Sequence, residues 1–186
     1  MKTLALPLCL VALAFSLETT LAQYPQNGAK AALQALPSHF TRDIVRLSAD
    51  NGRPNPKRWY VLARNPEEAG LIVKNPLYSI VIDRGQLVEA KRYVDARQIF
   101  NQKNFINLAR VRVDSAEAFQ IARDSLGPAG QKMVSASYQL TQTGPAADPI
   151  WDVWAYGKSS HYIGLVKLSA KSGGVISSKK AGFPSL

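Results

Sequence analysis

The sequence predicts an α+β protein made of two units in tandem, each a helix packed on an antiparallel β-sheet. Three observations predict it. A β-type run with the pattern W-x-V-x-A occurs twice, as Trp59-Tyr60-Val61-Leu62-Ala63 and as Trp151-Asp152-Val153-Trp154-Ala155. A turn glycine follows each tryptophan, Gly85 after 26 residues and Gly173 after 22. A helix-opening residue precedes each run, Ser38 in the first half and Asp114 in the second. The competing explanation is two unrelated α+β segments, since one five-residue match is a short repeat.

Taken in order, Lys2 precedes an apolar stretch over residues 4–17 that gives way to Glu18-Thr19-Thr20-Leu21-Ala22. That is the layout of a secretory signal cut after Ala22, and the stretch is shorter than the roughly 20 residues a permanent membrane helix needs. Residues 23–37 predict a flexible start and a short helix over 29–36 ending before Pro37. The first unit spans 38–93. After Ser38, Phe40, Ile44 and Leu47 recur at helical spacing, widened by Val45, and Asn51-Gly52 ends that helix. The Trp59 run is a strand, 65–70 a loop, and 78–83 and 86–93 a hairpin around Arg84-Gly85.

A basic connector covers 94–112, with a short helix near 98–105 and a strand near 108–113. The second unit covers 113–180, ahead of a tail at 181–186. Asp114-Ser115-Ala116-Glu117 forms a capping-box pattern. The helix it opens presents Ala118, Ile121, Ala122 and Leu126 on one side and stops at Gly127-Pro128. A run over 133–141 follows, then strands over 150–156, 162–169 and 175–178.

Composition narrows the function. Of 186 residues, 46% are hydrophobic and 19% charged, enough apolar material for a core. One cysteine, Cys9, lies within the signal stretch, and the two histidines, His39 and His161, have no partner at ligand spacing. The sequence therefore predicts no disulfide framework, no metal site and no cofactor. It contains no H-E-x-x-H, G-x-S-x-G or Walker pattern, and Glu67-Glu68 reads as a pair of loop acids, so no catalytic residue is assigned and an enzyme is the weakest class. The formal charge is +10, and losing Lys2 and Glu18 with the signal leaves it unchanged. Such a balance favours anionic partners, but export makes nucleic acid improbable. Seven basic residues stand between Arg84 and Arg112 against Glu89 and Asp95, and five lysines but no acid follow Asp152.

The second half resembles the PepSY-like family. The residues that carry the resemblance run from Asp114-Ser115-Ala116-Glu117-Ala118 through Trp151-Asp152-Val153-Trp154-Ala155-Tyr156 and Gly164-Leu165-Val166-Lys167-Leu168 to Ser172-Gly173-Gly174-Val175-Ile176. The similarity covers about residues 112–180, with a fainter echo over 38–93. It implies an exported, non-enzymatic module that binds or restrains a peptidase. With no peptidase domain in these 186 residues, the expected target is a separate chain.

Strand alternation assigns the surfaces. Trp59, Val61 and Ala63 share one face, as do Trp151, Val153 and Ala155, and both sets predict core. The opposite face carries the candidate binding residues Arg58, Tyr60, Arg64, Trp154 and Tyr156, aromatics and arginines of the kind that dominate contact hot spots. The expected function is thus an exported binding protein directed at a secreted or envelope peptidase, located in the periplasm or outside the cell. Two alternatives stand beside it: a basic envelope-associated protein binding anionic lipid or polysaccharide, and a structural subunit of an exported complex.

Overall fold

The computed structural model describes residues 28–68, 76–93 and 104–182. The expected signal segment at 1–22, most of the basic connector and of its short helix near 98–105, and the end of the tail lie outside these residues. Eight strands form one antiparallel sheet: β1 (Ile44–Gly52), β2 (Arg58–Arg64), β3 (Leu77–Asp83), β4 (Gln86–Tyr93), β5 (Ser135–Thr141), β6 (Ile150–Tyr156), β7 (Tyr162–Ser169) and β8 (Val175–Lys180). Their order across the sheet is β4-β3-β2-β1-β5-β6-β7-β8. Among the described residues two α-helices accompany them, a six-residue α1 (Ala29–Gln34) and an eleven-residue α2 (Ser115–Ser125).

This overturns the expected tandem of helix-on-sheet units. Over the described residues the molecule is a mainly β protein with one continuous sheet and one helix of substantial length, because β1 and β5 pair and fuse the halves. The helix expected after Ser38 is also absent: Ser38–Phe40 is a single 3-10 turn, and residues 44–52 are a strand. The reason is a bulge. Ile44 faces Ala63 and Arg46 faces Leu62, so β1 holds one extra residue at Val45. The bulge puts Ile44 and Leu47, three residues apart, on the same buried face, which imitates helical periodicity inside a strand. Likewise the strand expected near 108–113 is a 3-10 turn, Leu108–Arg110, capped by the Asn107 side chain, which accepts from the Ala109 amide.

The other elements follow from local chemistry. Arg84 and Gly85 both take positive φ, the twist-matched two-residue hairpin geometry, and Gly173 supplies positive φ before β8. The Asp114 carboxylate accepts from the Ser115 amide at 2.7 Å and also from the Lys30 amide at 3.2 Å, so one side chain serves the first turns of both helices. Gly28 leaves the space for this: a Cβ there would stand 2.6 Å from Asp114 Oδ2. Gly127, with φ +57, ends α2 as expected.

The core lies on one side of the sheet, under α1, α2 and the segment 106–113. Trp59, Val61 and Ala63 are buried there, as are Trp151, Val153 and Ala155. Because β2 and β6 each lie next to the central β1–β5 pair, the two tryptophans meet across it. Trp59 and Trp151 stand 6.3 Å apart, and Tyr138 of β5 completes a triangle at 6.0 and 6.2 Å. Each indole N–H is satisfied, Trp59 donating to the Pro56 carbonyl and Trp151 to that of Val113, both at 3.0 Å. Satisfied donors let these large rings be buried without a stranded polar group.

Candidate functional site: the open face of the sheet

The face away from the helices is built by register. One cross-strand row runs Val81, Tyr60, Ser48, Gln139, Asp152, Lys167 and Ser177 from β3 to β8. A second row holds Ser137, Trp154, Leu165 and Lys179. Directly opposed residues of antiparallel strands point the same way, so these side chains share one surface. Tyr60 is 39% exposed on it, and Trp154, Tyr156, Leu165 and Val81 are partly exposed.

All five candidate residues stand on this side by strand alternation, but they do not form a single cluster. Arg58 and Tyr60 sit on β2, and Trp154 and Tyr156 on β6, three strand spacings or about 14 Å away. Small polar residues, Ser48, Ser137 and Gln139, fill the strip between them. Arg58 is exposed and donates to Asp83 at 2.9 Å, a pairing that raises the guanidinium pKa further above its ordinary value. Arg64 is turned to a different task. Its Nε donates to Asp43 at 2.6 Å, and its guanidinium lies 5.0 Å from the Phe105 ring centre, so it locks the start of β1 to the end of β2. Of the five, Arg64 is the one held by structure rather than displayed.

Three features of this surface come from tertiary contacts rather than from local alternation. Tyr162, 39% exposed, pairs with Tyr156 at 5.9 Å between ring centres and extends the β6 aromatic group onto β7. The Tyr162 phenol is pushed up by partial burial and by its Tyr156 neighbour. Asp152 is 8% exposed on this open side because Lys167, directly opposite, places Nζ 3.0 Å from both carboxylate oxygens. Finally, a hollow of about 260 Å³ lies beside the β1 bulge, lined by Val45, Arg46, Leu62, Asn104 and Gln139 among others. The alternation of β6 carries a signal for Tyr156, but only strand pairing brings Tyr162 beside Tyr156 and Lys167 beside Asp152.

No protein-family model matches the chain, and no curated protein and no solved structure matches it either.

Among the described residues, no group of three or more His, Cys, Asp or Glu side chains is placed to hold a metal ion. No described helix is long and apolar enough to cross a membrane. His39 packs at a tilt against Phe40, 4.3 Å between ring centres, remote in the fold from the β6–β7 turn that carries His161. What the open face offers chemically is contact: Tyr60 beside Arg58 on β2, an aromatic group of Trp154, Tyr156 and Tyr162 on β6 and β7, and a polar strip between them.

Proposed function

We propose that the chain is an exported, non-enzymatic binding protein that meets a protein partner with the open face of its sheet. One observation carries this: Arg58, Tyr60, Trp154 and Tyr156 stand on the side of a single sheet away from the helices, which pack its other side. Aromatics held on paired strands lose little conformational freedom on binding, which makes them efficient contact groups. The resemblance of residues 112–180 to the PepSY-like family supports a secreted or envelope peptidase as that partner, bound or restrained as a separate chain.

The test is capture from the native secretome by the immobilised protein, followed by assay of the co-secreted proteolysis. Recovery of a peptidase by the wild type, with loss in Trp154→Ala and in Tyr60→Ala, is the expected result. Both side chains are partly exposed, so both variants should keep the fold. Recovery of no peptidase and no inhibition would remove the proposal.

A second function is favoured by a specific feature. Lys179 and Lys180 are exposed on the edge strand β8, and no acidic residue follows Asp152 in the chain. That edge suits an anionic envelope polymer or lipid surface. Retention on an anionic matrix should then fall steeply with salt, as screening of exposed charges requires; retention indifferent to ionic strength would dismiss it.

A further inference from the structure

A cleft of about 820 Å³ opens between the 3-10 turn Gly127–Lys132 and the connection from β6 to β7, within the size range of small-molecule sites. It is not part of the open face. Ala129, Val134 and Ile163 supply apolar walls, and Lys132, Lys158 and His161 stand around them, with no carboxylate among the lining residues. Val134 is 46% exposed, an apolar side chain left facing water although β5 begins just after it.

The turn that frames the cleft is unusual in its own right. Ser159 and Ser160 take φ +56 and +58 in succession, a conformation that hairpins ordinarily give to Asn-Gly. It is disfavoured for residues with a Cβ, yet the His161 amide closes the turn on the Lys158 carbonyl at 3.3 Å, and the Gly157 amide donates to the His161 carbonyl at 2.7 Å. This tight turn brings Lys158 and His161, its two outer residues, to the same rim. Gly157 completes the fit, since its α-carbon packs so close to the Lys132 carbonyl that a Cβ would stand 3.3 Å from that oxygen. Strained backbone held in place at the mouth of a cavity is a recurrent feature of ligand clamps.

We infer that this cleft binds a small amphiphilic anion, an apolar chain ending in a free carboxylate. The apolar walls take the chain, and the two ammonium groups, without a competing acid, take the carboxylate. The occupant is a soluble small molecule, so this site stands independently of the protein contact assigned to the open face.

Calorimetric titration of the intact protein with decanoate and with decanol, both below aggregation, tests it. Decanoate should bind saturably with one site, and decanol roughly tenfold more weakly. Lys132→Gln and Lys158→Gln should each weaken decanoate by roughly fivefold while leaving decanol unchanged. Val134→Asp should weaken both ligands. Lys132, Lys158 and Val134 are exposed, so these variants preserve the fold, which an unchanged unfolding midpoint verifies. Equal affinities for acid and alcohol, unsaturable uptake, or decanoate binding indifferent to both lysine variants would overturn the inference. So would binding to phosphatidylglycerol vesicles by a protein that ignores monomeric decanoate, because that outcome assigns the lysines to a membrane surface.

Discussion

Tyr138 shows what a single side chain contributes here. Its ring is buried against Trp59 and Trp151, and its hydroxyl donates only a long 3.4 Å bond to the Arg53 carbonyl. Burial first, and the charge of Asp114 second, push the phenol well above its ordinary value. The sign follows directly. A raised folded pKa gives stability that is whole below the unfolded value of about 10 and is lost as pH climbs toward the folded one. Tyr138→Phe should therefore flatten the alkaline fall in stability while costing about 1 kcal/mol or less near pH 7. Urea unfolding of both proteins between pH 8 and 11 checks this; parallel curves would contradict it. Gly164 makes a second case, since an added Cβ would stand 2.6 Å from the Lys179 carbonyl and 2.9 Å from Leu126 Cδ2. Gly164→Ala should cost about 1–3 kcal/mol by overpacking the α2 and β8 contacts, seen as a lower urea midpoint. The parity of Trp59 and Trp151 was legible from strand alternation alone. The needs of Tyr138 and Gly164 were not, because they depend on neighbours distant in sequence.

Among the elements, α2 and β1 are instructive opposites. The start of α2 was readable at Asp114 because a cap acts through the nearest backbone amides. Its second partner, the Lys30 amide, lies 84 residues away and only folding supplies it. Asp114→Ala should destabilise by about 1–2 kcal/mol and, beyond any ordinary cap, speed hydrogen exchange in Ala29–Gln34. Exchange unchanged in that segment would show α1 to be held by its apolar face alone. β1 imitates a helix in sequence because the bulge at Val45 changes the spacing of its buried residues Ile44 and Leu47 from two to three. A helical pattern of two or three apolar positions cannot be told from a bulged strand without the partner strand that defines the bulge.

Across the whole molecule, the β1–β5 pairing decides what the protein is. It turns two four-stranded meanders into one sheet, makes the open face continuous from β3 to β8, and seats Trp59 against Trp151. Residues 104–186 expressed alone would expose the β5 edge and the Trp151 face that Trp59 covers. Such an edge is a template for further pairing, so that fragment should self-associate and should recover a monomeric state on adding residues 23–93. Sedimentation velocity distinguishes this from two independent domains, which would each remain folded and monomeric. The sequence by itself determined three of the four strands of the second half, the hairpin at Arg84-Gly85, the cap at Asp114 and the inward side of both tryptophan strands, because turn chemistry and alternation operate within a few residues. Only the tertiary structure decided that the halves share a sheet, that the candidate residues stand in two groups on one face, and that Lys132, Lys158 and His161 gather at one cleft. Those outcomes rest on pairing between segments far apart in the chain, and no local periodicity encodes which strand edges will meet.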